Sequence, residues 1–425
     1  MTLDRPSRHA VVTAASTGAG RILEVMERAS LPEVILFIVD AGGGHRASAT
    51  ALQAAAEQEG RPWRFRIVNI QETFRGLDLW QRVTGKPIEQ TYNELIRSQH
   101  TRFLVPTLRV LQFFIRRLRG RLSRTMADAL RKEPAALAMS MAPNFNAVLR
   151  DAVRQALPGT SFFVLLTDYA DFPPHFWIEP GVDRVIAGSE HAVEQALAAG
   201  IAAHRISRTS GMVLHPRFYA GGGPAAGEGA RRELGIPEDA FVVMELFGGK
   251  CSAEMAPLSE GLLKQSPEWH VIAICGDNPP LLDDLTRMTA GSGGRLHPLG
   301  FTKRIADYLS ASDVLVAKPG PGSLAESFQQ GVPVVVTCNA RTIPQERFNA
   351  DMVRTHGLGR VVSSVEEMPA AVAGLVGDPA EWDRVRANVR ALPPNRAVYE
   401  ALDVVEAELQ RVHALPEAAR AASLA

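Results

Sequence analysis

Cysteine is scarce, with three in 425 residues: Cys251, Cys275 and Cys338. An odd number at wide spacing excludes a paired disulfide framework and the clustered ligands of a zinc module, and fits a reducing compartment. Net charge is absent, with 46 Lys plus Arg against 46 Asp plus Glu. That balance excludes the global basic field of a nucleic-acid binder and leaves only local patches to read. No run of about 20 uncharged apolar residues occurs, so no helix is expected to span a bilayer. The stretch Met1–Ala10 is polar and lacks the apolar run of a signal peptide. What is present is a globular composition, 46% hydrophobic and 22% charged, in a chain too long for one ordinary core.

Short apolar runs alternate with helix-length segments. Val34–Val39, Phe65–Ile70, Ala136–Met141, Phe162–Thr167, Phe241–Phe247, His270–Cys275, Asp313–Lys318 and Val332–Cys338 read as strands. The alternation predicts α/β domains with parallel sheets built from βαβ units. Ala220–Gly229 (AGGGPAAGEG) is a boundary by composition, because no apolar period crosses it. The expected organisation is an N-terminal extension (1–30), a first domain (31–220), a second domain (230–395) and a C-terminal helix and tail (396–425). Two doubly wound domains would face one another across a cleft.

Three glycine turns follow predicted strands: Gly42-Gly43-Gly44, Gly248-Gly249 and Gly320-Pro321-Gly322. Ligands of open α/β sheets bind at the carboxyl ends of strands, where glycine permits close backbone approach and a following helix N-terminus attracts an anion. The third turn is the most explicit phosphate site. Ser323 would begin its helix, and Ser323-x-x-Glu326 also has the form of a capping box, which caps the helix whether or not a ligand binds. Glu326 is placed to accept from ribose hydroxyls. Gln345, Glu346 and Asn349 form a hydrogen-bonding cluster suited to a sugar, or else a solvated helix start. His45 ends the first turn, where a helix dipole keeps imidazole neutral and competent as a general base; the alternative is a capping histidine. Asp40 or Asp168 would orient its ring.

Thr101–Met126 holds seven arginines and no acid. Leu104, Leu108, Leu111, Ile115, Leu118 and Leu122 share one helix face, with Arg102, Arg109 and Arg116 roughly opposite at about 100° per residue. Phe103, Phe113 and Phe114 are read as broadening the apolar side. The pattern predicts a helix lying in an anionic membrane interface, with arginines reaching headgroups. Its alternative is a helix packed on the first domain with a solvated basic face, and Pro106 and Gly120 would interrupt or limit it.

Taken in order, Gly42-Gly43-Gly44-His45, Leu166-Thr167-Asp168, Cys275-Gly276, Gly300-Phe301, Lys318-Pro319-Gly320-Pro321-Gly322-Ser323-x-x-Glu326 and Gln345-Glu346-x-x-Asn349 resemble the monogalactosyldiacylglycerol synthase and processive diacylglycerol glycosyltransferase family. The likeness runs from about Val34 to Val362. It implies the two-domain GT-B fold and an inverting, metal-independent hexosyltransferase using a UDP-sugar. His45 would then be the base, with Gly43, Gly44 and Asp168 on the acceptor side. Gly320, Pro321, Gly322 and Ser323 would hold the diphosphate, Glu326 the ribose, and Gln345, Glu346 and Asn349 the donor sugar. Gly276 and Phe301 would lie on the nucleotide, with Gly248, Gly249 and Lys250 near its phosphates. The membrane residues would be Arg109, Phe113, Phe114, Arg116 and Arg117.

Three segments depart from the family pattern. They are Gly211-Met212-Val213-Leu214-His215, Gly249-Lys250-Cys251 and Cys275-Gly276-Asp277-Asn278, and there is also added length before His175. The resulting expectation is transfer of a hexose to a diacylglycerol-like lipid in glycolipid biosynthesis. It would take place at the cytoplasmic face of the membrane on anionic lipid, without cofactor or nucleic acid. A UDP-sugar 2-epimerase on the same fold, and a non-catalytic nucleotide-sugar or lipid-binding module, remain alternatives.

Overall fold

The structure is a computed structural model and describes residues 31–40, 43–74, 104–132, 134–220, 223–248, 254–340 and 342–412. The first lobe runs β1 (Glu33–Ile38), α1 (Gly44–Gln58), β2 (Arg64–Asn69), α2 (Ile70–Phe74), α3 (Leu104–Leu130), β3 (Leu137–Met141), α4 (Asn146–Ala156), β4 (Ser161–Leu165), β5 (Arg184–Ala187), α5 (Glu190–Ala198) and β6 (Ile206–Arg208). A short helix, α6 (Arg217–Ala220), leads to the second lobe. That lobe runs α7 (Pro224–Leu234), β7 (Phe241–Leu246), α8 (Met255–Leu263), β8 (Trp269–Gly276), α9 (Pro279–Met288), β9 (Leu296–Gly300), α10 (Ile305–Ser310), β10 (Val314–Ala317), α11 (Pro321–Gln329), β11 (Val334–Thr337), α12 (Pro344–His356), β12 (Gly359–Val362), α13 (Met368–Val376) and α14 (Pro379–Arg390). Helix α15 (Ala397–Arg411) closes the described chain.

Each lobe holds one six-stranded sheet, ordered β2-β1-β3-β4-β5-β6 and β12-β11-β10-β7-β8-β9, with every pair parallel. Parallel strands need both faces covered, and the apolar runs supply this. Ile35 and Phe37 point into one core, while Val34, Leu36 and Ile38 point into the other. The second sheet divides the same way: Leu315 and Val334 lie on one face, Val314 and Val335 on the other.

The strand order creates a crevice in each sheet where connections leave in opposite directions. In the first sheet it lies between β1 and β3; in the second, between β7 and β10. Gly43, Gly248 and Gly320, which follow β1, β7 and β10, lie at these crevices.

One local finding differs from the sequence pattern, and one goes beyond it. The boundary stretch Ala220–Gly229 is partly helical: Pro224 occupies the first turn of α7, where its missing N–H costs nothing. Helix α15 returns to the first lobe, burying Val398, Leu402 and Val405 against its sheet, and Arg61 pairs with Asp403 and Glu406 there.

Close approach fixes one glycine outside the site. Gly359 pairs with Val334 at φ 154°, and a Cβ there would lie 1.8 Å from the Val334 carbonyl oxygen. Gly359→Ala is expected to destabilise the fold by about 3 kcal/mol or more. The measurement is the urea unfolding midpoint; an unchanged midpoint would contradict it.

Candidate active site

His45 enters the cleft because Gly43 takes φ 85° as the residue before α1, turning the chain sharply from the end of β1. Gly44 is the first helical residue, and α1 has no side-chain cap, so His45 is not spent on capping. The His45 Nδ1 lies 3.1 Å from Thr167 Oγ1, and its ring sits 5.6 Å from the ring of Trp177. Burial pushes the imidazole down to about 4, against the opposing pull of the Asp40 carboxylate. The ring is therefore neutral at pH 7, by desolvation first and foremost.

Neither carboxylate offered by the sequence hydrogen-bonds this ring. Asp40 is held at 2.7 Å by both Arg46 Nε and Nη2 and also accepts from Asn69, which keeps its carboxyl below the usual range. Asp168 accepts from Trp177 Nε1 at 2.9 Å and so meets the indole beside His45 rather than the imidazole. Trp177 is fully buried, and its backbone N–H donates to Asp171 Oδ1 at 2.6 Å. Thr167 and Trp177 are thus the ring's direct neighbours. Both were visible in the sequence, but nothing there assigns them to the histidine, because the strand β4 and the loop after it meet α1 only in three dimensions.

In the second lobe Gly320, in extended conformation, is the N-cap of α11, and Pro321 and Gly322 form its first turn. The helix starts two residues before Ser323, so Ser323 lies inside the first turn and no side chain caps the helix. The Ser323–Glu326 capping box is therefore not formed, and the first N–H groups of α11 face the crevice without a side-chain partner. Asn349 is fully buried and donates from Nδ2 to the Pro319 carbonyl at 2.8 Å, pinning the turn to α12. Among the described residues the buried Gln345 Oε1 and Asn349 Oδ1 have no hydrogen-bond partner, an arrangement that a polar ligand would relieve.

Burial raises the carboxyls of Glu326, to about 7, and of Glu346; Arg217 pulls the first down and Lys318 the second. Gly248 ends β7 at φ 81°, and Gly276 ends β8 at φ 55°. Phe301, at the end of β9, is 73% exposed. Gly42, Gly249 and Lys250 lie outside the described residues.

The two halves of the site face one another. Asp168 is raised to about 7, by burial first, against the Trp177 hydrogen bond and with a contribution from Glu346 of the opposite lobe. His191 of α5 stacks on Phe348 of α12 at 4.6 Å, and Ile343 packs on the core of the first lobe.

The basic segment behaves differently from its expected geometry. Helix α3 runs unbroken through Pro106 and Gly120. Leu108, Ile115 and Leu122 are buried in the first lobe's core, and Arg119 forks onto Asp151 of α4 at 2.6 and 2.8 Å. The leucine face is therefore a core face and is unavailable to a membrane. Phe113 does not broaden it: two residues from Leu111 is about 200° around the helix, so Phe113 stands among the arginines. Phe113 and Phe114 are 64% and 48% exposed, beside exposed Arg109, Arg116 and Arg117. Among the described residues no helix is long and apolar enough to cross a membrane.

Residues 248–376 match the glycosyltransferase family 28 C-terminal domain. The chain is 26% identical over 403 residues to monogalactosyldiacylglycerol synthase 1 of Arabidopsis thaliana, covering 91% of this chain and 72% of that protein. It is 27% identical over 224 residues to the processive diacylglycerol beta-glucosyltransferase of Bacillus subtilis, covering 52% of this chain and 57% of that one. Among solved structures, the Anabaena protein HepE in complex with UDP and glucose shares the fold at a TM-score of 0.50 and 16% identity, covering 88% and 98% of the two chains. The UDP-GlcNAc 2-epimerase of Neisseria meningitidis shares it at 0.54 and 12%, covering 89% and 100%. These two establish the two-lobed GT-B-type fold and no more. The sequence relatives, the matched C-terminal domain and the ordered motifs together make the chain similar to the monogalactosyldiacylglycerol synthases and processive diacylglycerol glucosyltransferases.

Proposed function

We propose that this enzyme, a UDP-sugar-dependent hexosyltransferase, transfers its sugar with inversion to the hydroxyl of a diacylglycerol-like membrane lipid. The observation that supports this most is the opposition of His45 and Asp168 on one lobe to Glu346 and the α11 turn on the other. His45 takes the acceptor proton as the lipid oxygen bonds to the anomeric carbon, and the bond from that carbon to the UDP β-phosphate oxygen breaks. The α11 N-terminus and its turn receive the charge that develops on the departing diphosphate. Glu326 accepts from the ribose hydroxyls, and Gln345 and Glu346 orient the sugar. In this mechanism no step calls on a metal or another cofactor, so turnover in excess EDTA should equal that without it.

The outward face of α3 supplies contact with the membrane. Phe113 and Phe114 insert at the interface while Arg109, Arg116 and Arg117 meet anionic headgroups, holding the enzyme peripherally on the cytoplasmic leaflet.

The test is UDP release with UDP-glucose, UDP-galactose and UDP-N-acetylglucosamine against membrane lipids, with mass analysis of the products. A glycolipid one hexose heavier than its acceptor is expected. Epimerised free sugar nucleotide without acceptor would instead support the 2-epimerase reading, and binding without turnover a non-catalytic module.

A further inference from the structure

Lys318 is the one residue of the Lys318–Ser323 motif before the turn that the site above leaves without a role. It follows the last residue of β10, and its side chain crosses the crevice toward β7. A Cβ built on Gly248 would lie 3.8 Å from Lys318 Nζ and 3.9 Å from its Cε. Strands β10 and β7 are neighbours, with Ala317 opposite Leu246, and they flank the point where the sheet's connections diverge. The ammonium therefore sits between two glycine turns, at the place where an open α/β sheet binds its ligand. Lys318 is exposed, and among the described residues it forms no salt bridge.

Its surroundings are acidic. A Cβ on Gly320 would lie 3.6 Å from Glu346 Oε1, so that carboxyl also borders the turn, and Lys318 is the charge that pulls it down. Glu326 and Asp168 add two more carboxyls to the cleft. Burial raises all three, so their negative charge is partial, and Arg217 acts on Glu326. A helix dipole carries only about half a charge, and Lys318 is the full cation that stands between the two turns.

Resting on the donor-site reading, we propose that Lys318 is a phosphate-binding residue. Its ammonium leaves the field of Glu346 for the diphosphate of the bound sugar nucleotide, and it stays on the leaving group as the glycosidic bond breaks. The swap also frees Glu346 to accept from the donor sugar, so one lysine couples phosphate binding to sugar orientation.

The experiment is calorimetric titration of the full chain with UDP, UMP and uridine, for wild type, Lys318→Met and Lys318→Arg. Thermal unfolding confirms that each variant is folded. Lys318→Met should weaken UDP binding about tenfold or more, since a charge-assisted contact is lost, with uridine binding changed less than about twofold. Lys318→Arg should recover most of the UDP affinity. A folded Lys318→Met protein that binds UDP like wild type, or that loses uridine and UDP equally, overturns the role of the lysine. Wild type that binds no UDP at all overturns the donor site itself, and the lysine with it.

Discussion

His45→Ala should lower sugar transfer by at least about two orders of magnitude, the usual worth of a positioned general base, while UDP binding stays near the wild-type value. The split follows from where the ring sits. His45 belongs to the first lobe, at the end of β1, and the phosphate turn belongs to the second. Its folded pKa, about 4, lies below the unfolded value of 6.5 because burial penalises the imidazolium. The ring is thus unprotonated through the neutral range, and the acid limb of the rate profile should fall below pH 5 rather than near 6.5. The same shift has a stability sign: between these two values the unfolded chain binds the extra proton, so this group's contribution to stability is lost as pH falls. Alanine removes both effects at once. Stopped-assay initial rates from pH 4 to pH 8, with UDP titrations alongside, supply the check. Undiminished turnover in a clean His45→Ala preparation would remove the histidine from the mechanism.

Phe113→Ser combined with Phe114→Ser should reduce partition onto anionic vesicles by about thirtyfold or more. Burying a phenylalanine side chain is worth roughly 1.5–3 kcal/mol, and the two rings are already 64% and 48% exposed in the free protein. Because both point away from the core that holds Leu108, Ile115 and Leu122, the folded structure should tolerate serine there. The arginines should set a different dependence: binding falls with salt and with a decreasing share of anionic lipid, since exposed charges are screened beyond about 10 Å at 0.1 M. Vesicle co-sedimentation at two salt concentrations separates the contributions. Serine variants that sediment like wild type would show that this face does not meet the membrane, whatever the arginines do.

The long strands were legible because a strand buried on both faces reads as an unbroken apolar run. Val34–Val39 and, within Asp313–Lys318, Val314–Ala317 are of this kind, and they carry the two turns that matter most. The strands β5, β6, β9 and β12 were not legible: RVIA, ISR, LHPLG and GRVV are three to five residues long and partly polar. Such segments become strands because a neighbouring edge offers them hydrogen bonds, a tertiary cause that no local pattern records. The helix α3 shows the same limit from another side. Its periodicity was plain, but a stripe of leucines looks alike whether it meets lipid or protein, and only the position of α4 decides.

By itself the sequence determined the α/β class, the glycine turns at strand ends and the ordered motifs that mark the family, because backbone geometry and phosphate contact demand particular residues at particular places. The tertiary structure alone decided who stands beside whom. It set Thr167 and Trp177 against His45, seated the leucine stripe of α3 in the first lobe's core, and brought Lys318 across to Gly248. Each of these depends on elements far apart in the chain, joined by packing that no single segment encodes.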